Sequence, residues 1–272
     1  MNKNKKRIYI LDIIRGILII YVVYYHLMYD LSDILSHEIS YLYSDWFSAI
    51  RDIMSGSLIF ISGISCNFSH SNVLRGIKTI AAALMLSLIT ILVIPSQTIL
   101  FGILHHLGLN MLIFGIIKDK RHGIIKEKDK QSKNNGRCFS ESYNKKTMIW
   151  HVVASMACLC MFFVMKEIYF GYLSFGFTKV FLPNELYGSF IMFIMGFGGP
   201  FMSADYYPVF PWSMLFYAGA LLGYYFRKEE LPAFFYKNFC KPLSFIGRHT
   251  MAIYLLHQPS LFGIFFIVNM IL

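Results

Sequence analysis

Asp12, Arg15, His26 and Asp30 lie in the first apolar stretch of the chain, which is otherwise hydrophobic enough to cross a bilayer. An ionisable side chain at bilayer depth costs about 2.5–3.5 kcal/mol on insertion scales, so such residues mark a functional site by default. Their spacing sharpens this. At about 100° per residue, Arg15 and His26 are three turns apart and project within roughly 20° of each other, with Asp12 and Asp30 on the same stripe of a continuous helix. Arg15 would stand about 16 Å from His26 along the axis, half the hydrocarbon thickness. Arginine suits phosphate or a developing oxyanion, and a histidine suits deprotonation of an amine or hydroxyl, or transient acyl carriage. A packing salt bridge of Asp12 with Arg15 and a His26 bonded to a neighbouring span would explain the charges but not their alignment.

Three later stretches carry further candidates. His105 and His106 follow Phe101-Gly102-Ile103-Leu104; Asp205 opens Tyr206-Tyr207-Pro208; Gly247-Arg248-His249-Thr250 leads to Tyr254-Leu255-Leu256-His257-Gln258-Pro259. Adjacent helical residues diverge by about 100°, so one of His105 and His106 at most faces the seam, and His105 is favoured. His26, as general base or acyl carrier oriented by Asp30, is then expected to meet His105, Asp205 and His257 near one membrane face, with Arg15 and Arg248 toward the other. Tyr206, Tyr207 and Trp212 also read as interfacial-belt residues, and Arg248 as a lipid-phosphate anchor. A zinc triad of His26, His105 and Asp205 is disfavoured, because no pair has the i, i+4 two-histidine spacing of helical metal sites.

The elements that must position these residues are helices. Of 272 residues, 56% are hydrophobic and 15% charged, and the apolar ones come in blocks of about twenty, the length that spans a bilayer. The reading is an all-α, polytopic integral membrane helical bundle in one domain, 1–272. Spans are expected near 8–28, 47–66, 74–94, 99–117, 148–165, 209–226 and 249–271. Between the fifth and sixth, two short apolar runs broken by Pro183, Gly198, Gly199 and Pro200 suggest a re-entrant or interfacial hairpin, or two further spans. The net charge of +10 gathers in the tail 1–7, in the loop 118–146 with ten Lys/Arg against four Asp/Glu, and after Phe226. The positive-inside rule places these in the cytoplasm, with the amino terminus. The loop 118–146 reads as flexible. The first block lacks a small-residue cleavage site and is taken as a retained span. Five scattered cysteines suggest neither a disulfide framework nor zinc, and no phosphate loop, serine elbow or nucleic-acid motif is present.

The run Arg7-Ile8-Tyr9-Ile10-Leu11-Asp12-Ile13-Ile14-Arg15-Gly16, followed by His26, resembles the opening of the transmembrane acyltransferases, an arginine, ten residues and a histidine. The three later stretches resemble patterns of the bacterial relatives of the heparan-α-glucosaminide N-acetyltransferase catalytic domain, with Tyr207 and Thr250 as mild departures. That resemblance implies transfer of acetyl from cytosolic acetyl-CoA, the co-substrate, to an amino or hydroxyl group of a glycan or glycolipid outside the plasma membrane. It implies contacts of Arg15 and Arg248 with CoA. It also raises His37 as a competing base, because the lysosomal enzyme carries its catalytic histidine in the first luminal loop. Membrane lipids are expected partners, nucleic acid is not, and a homo-oligomer is compatible with the sequence. A secondary transporter or flippase of a polar or glycan-linked solute stays open as the alternative, since a polar seam through a bundle also describes a substrate path.

Overall fold

The computed structural model describes residues 7–34, 39–93, 95–134, 145–228 and 231–271. Along them run α1 (Tyr9–Ile34), α2 (Asp45–Cys66), α3 (Asn72–Val93), α4 (Ile103–Asn134) and α5 (Lys145–Met165), then strands β1 (Tyr172–Phe175) and β2 (Thr178–Phe181). They are followed by α6 (Phe190–Met195), α7 (Trp212–Lys228), α8 (Lys241–Arg248) and α9 (Thr250–Ile271). The described residues are mostly helical, and each expected span overlaps a helix, although the fourth and sixth begin outside theirs, before Ile103 and Trp212.

Among the described residues, four helical stretches are long and apolar enough to cross a membrane: Tyr9–Ser32, Asp45–Cys66, Asn72–Val93 and Thr147–Phe170. The sequence reading expects seven. In α4 a basic second half follows the apolar first half, and α7 has 17 residues. Three further differences have physical causes. Helix α1 continues past 28 to Ile34, so Asp30 stays in helical register with His26. Helix α4 runs to Asn134, well into the segment read as a flexible loop. Its Lys and Arg are interspersed with Asp and Glu, and its Lys, Glu and Gln are good helix formers. The segment after α5 holds an antiparallel hairpin pairing Tyr172 with Phe181 and Phe175 with Thr178, with Gly176 in the left-handed region at φ 73°. Short strands of this kind carry a weak period-2 signal that an apolar run hides.

Two compact units divide the chain, one within Met1–Ile61 and Glu230–Leu272, the other within Ser62–Glu229. In the first, α1 packs on α8 and α9. The α1–α8 crossing is a backbone-to-backbone approach: a Cβ on Gly16 would collide with the Leu243 carbonyl, and one on Gly247 with the Asp12 carbonyl. Phe47 at the start of α2 stacks on Tyr25 of α1 at 5.7 Å between ring centres.

In the second unit, α3 pairs with α4 and α5 with α7. Gly76, Gly108 and Gly115 bring α3 and α4 together, since a Cβ on Gly76 would stand 2.7 Å from Leu112 N and one on Gly115 2.7 Å from Val73 N. Small residues at such contacts are how helices associate where hydrophobic burial gives no drive. Buried polar groups add bonds to backbone carbonyls, Asn67 Nδ2 to Ala220 at 2.7 Å and Ser155 Oγ to Ala218 at 2.9 Å. The opposite face of α3 carries exposed Leu84, Leu88 and Leu92. An apolar outer face with small and polar groups turned inward is the arrangement a lipid solvent selects.

Candidate functional site

The inward stripe of α1 is polar at its ends and apolar between. Asp12 is buried, and accepts from Arg7 Nε at 2.6 Å while Arg15 Nη1 stands 3.7 Å away. The packing partner of Asp12 at hydrogen-bond distance is thus Arg7, from the basic tail, and this bond to the carboxylate is the chief cause that raises the already high pKa of the Arg7 guanidinium. Leu18, Ile19 and Val22 fill the middle of the stripe, and His26 and the buried Asp30 follow. Arg15 and Arg248 flank the α1–α8 crossing, since Gly16 and Gly247 form it. Arg248 is exposed, donates from Nε to the Ser244 carbonyl at 3.2 Å, and lies 5.7 Å over the Phe245 ring.

Helix α9 completes the other end of the stripe. Gln258 Nε2 donates to His26 Nδ1 at 2.9 Å, and the rings of His26 and His257 are 4.9 Å apart between centres. Gln258, to which the sequence reading gives no role, holds the His26 ring from α9. Asp30 lies one turn along the same helix from His26, whereas α9 lies against α1 and reaches the imidazole from outside that helix. His257, 7% exposed, has Nδ1 at 2.7 Å from the Tyr254 carbonyl. A carbonyl only accepts, so Nδ1 carries the proton. Pro259 within α9 lacks the N–H that would bond the carbonyl four residues back, which loosens the helix next to the pair.

In the second unit two of the sequence motifs clasp each other. Ala204 N donates to Thr98 O at 3.0 Å, Tyr207 N to Phe101 O at 3.1 Å, and Leu100 N to Ser203 Oγ at 3.1 Å. This sets Asp205 Oδ2 3.0 Å from the amide of Ile103, the first residue of α4. A Cβ on Gly102 would strike that carboxylate, so any larger residue there would have to push Asp205 off the Ile103 amide. A negative charge accepting an amide at a helix N-terminus is favoured by the helix dipole. Asp205→Ala is therefore expected to cost about 1–2 kcal/mol, read as a lowered thermal unfolding midpoint of purified protein. An unchanged midpoint would show that the cap does not stabilise α4.

His105 accepts from Gly102 N at 3.2 Å through Nδ1 and donates through Nε2 to Ser87 Oγ at 3.2 Å; Ser87 in turn donates to the Ile99 carbonyl. His106, fully buried, donates through Nδ1 to Pro208 O at 3.1 Å and accepts through Nε2 from Asn110 Nδ2 at 3.2 Å. Both rings have both nitrogens occupied. Tyr206 and Tyr207, read as belt residues, face the protein: Tyr207 is buried, and Tyr206 stacks on Phe193 at 4.5 Å and donates to its carbonyl. Burial pushes the Tyr206 phenol well above its ordinary range, so it stays a neutral donor.

The structure thus joins His26 with His257 in one unit and His105 with Asp205 in the other. His37 lies outside the described residues. Sequence reasoning leaves Gln258, Arg7, Ser87 and Asn110 without roles. Asn110 is findable, four residues from His106 on one helix face, whereas Gln258 meets His26 only across 232 positions of chain. A family model described as heparan-alpha-glucosaminide N-acetyltransferase, catalytic, matches residues 7–125 and 147–259, and the gap between these stretches falls in the basic segment after the apolar half of α4. No curated protein and no solved structure matches the chain.

Proposed function

The chain belongs to the heparan-α-glucosaminide N-acetyltransferase catalytic family, and from that premise we propose that it moves acetyl from cytosolic acetyl-CoA to an amino or hydroxyl group of a glycan or glycolipid across the plasma membrane. The observation that carries this reading is the imidazole pair of His26 and His257, held on two helices of an acetyltransferase family member. Acyl transfer to an amine or hydroxyl needs a base that takes the nucleophile's proton and returns it to the leaving thiolate, and imidazole near neutral pH does both. Arg15 and Arg248, flanking the α1–α8 crossing, supply guanidinium groups suited to the phosphates of CoA. In the second unit, His105 and Asp205 hold the clasp at the start of α4. The basic tail and the basic stretch from Lys118 orient the amino terminus to the cytoplasm.

Sealed inside-out vesicles holding the protein test this directly. Acetyl-labelled CoA added outside is expected to deliver label to a glycan mixture trapped in the lumen. Label delivery is expected to fall with either His26→Ala or His257→Ala, while His37→Ala keeps it. Loss with His37→Ala alone would move the chemistry to the residues after α1. Solute passage without CoA consumption would establish a transporter.

A further inference from the structure

The sequence points to His26 as the base, but the hydrogen bonds of the pair distribute its protons differently. His26 Nδ1 accepts from the Gln258 amide, so its lone pair is occupied and the ring proton of its neutral form sits on Nε2. His257 is the reverse. Its Nδ1–H is committed to the Tyr254 carbonyl, which leaves the lone pair on Nε2, and that nitrogen is buried with no hydrogen-bond partner among the described residues. A buried acceptor without a partner is a standing cost in a folded protein, and such an atom calls for an explanation. A ligand's N–H or O–H supplies it.

We infer that His257 Nε2 is the atom that takes the proton of the acetyl acceptor, and that His26 serves beside it as a hydrogen-bond donor. The assignment rests on the acetyltransferase reading. The acceptor's amine or hydroxyl attacks the thioester carbonyl carbon while its proton passes to His257 Nε2. The tetrahedral adduct then collapses with cleavage of the carbon–sulfur bond, and the proton on Nε2 passes to the departing CoA sulfur, which restores the neutral ring. No acetyl-histidine forms, and acetyl-CoA and acceptor become acetylated acceptor and CoA. The imidazolium formed in between keeps its Nδ1–H bond to Tyr254, which strengthens when the donor is charged. Gln258 holds the neighbouring ring by its acceptor nitrogen, so His26 has no free lone pair with which to compete for the acceptor's proton.

Two measurements test this. Solid-state nitrogen NMR of the wild-type protein in lipid bilayers, labelled at histidine side chains and with His257 assigned by its loss in His257→Gln, is expected to show a protonated Nδ1 and a bare Nε2. A protonated Nε2 in the neutral ring overturns the assignment whatever the activity. In steady-state kinetics His257→Ala is expected to lower kcat about 10²–10⁴-fold with the KM for acetyl-CoA held, and added imidazole to restore part of the rate. His26→Ala is expected to lower kcat by a smaller factor. A His257→Ala enzyme with wild-type kcat, or a His26→Ala enzyme that is the more damaged, overturns the inference while acetyl transfer by the wild type leaves the function standing. A wild type that transfers no acetyl from CoA to any amine or hydroxyl acceptor overturns both.

Discussion

Gly247→Leu is expected to destroy the docking of α8 on α1 and with it all acetyl transfer, and even Gly247→Ala to cost at least about 3 kcal/mol. The reason is what a side chain would meet. A Cβ on Gly247 falls on the carbonyl of Asp12 and within 2.9 Å of Gly16 N, and one on Gly16 falls on the Leu243 carbonyl. These are backbone atoms of two helices. They cannot rotate away as a side chain does, so the helices must separate. Separation would also displace Arg15 and Arg248, which stand beside the two glycines. The contrast is Gly263 in α9, where a Cβ would have nothing within 4 Å: Gly263→Ala is expected to be neutral to stabilising by under about 1 kcal/mol. Fluorescence-detected size exclusion and thermal unfolding in detergent measure both. A Gly247→Leu protein that elutes and melts like wild type would show that the α1–α8 crossing is not closely packed.

His106→Leu is expected to lower stability by about 2–4 kcal/mol while leaving kcat of the surviving folded protein near wild type. The change removes an imidazole whose two nitrogens serve the Pro208 carbonyl and the Asn110 amide in a fully buried place. The Pro208 carbonyl is left unsatisfied, and the Asn110 amide loses one of its two bonds and keeps the one to the His106 carbonyl, which costs more than the net worth of either lost bond. The double variant His106→Leu with Asn110→Leu is expected to recover part of the loss, since removing both polar partners removes one of the two desolvation penalties. Thermal unfolding read beside kcat separates this from chemistry. A His106→Leu protein of normal stability that has lost its kcat would make His106 a catalytic residue.

Adjacent histidines with similar sequence surroundings thus have different duties from those at the end of α1. Spacing alone separates His105 from His106 by direction, but their shared structural duty depends on Pro208 and Gly102, brought in by the clasp of 98–102 with 203–207.

What the chain declares locally is its helices and its stripe. Apolar runs of bilayer length and the 100° step put Asp12, Arg15, His26 and Asp30 on one face of α1, and that face is the inward one, because burying polar groups away from lipid decides which way a helix turns. The basic stretch from Lys118 reads as a loop because charge argues for solvent, yet a charged segment rich in good helix formers continues a helix that packing has already begun. Tertiary structure alone decides the partners across helices. Asp12 keeps the Arg15 ion pair that the i, i+3 spacing points to, at 3.7 Å, and adds Arg7 at 2.6 Å, but His26 bonds across the α1–α9 contact to Gln258, which no local spacing indicates. Periodicity says which way a side chain points but not what it meets. A hydrogen bond is set within a few tenths of an ångström by how two helices cross, and here that crossing depends on glycines whose only signal in the sequence is the absence of a side chain.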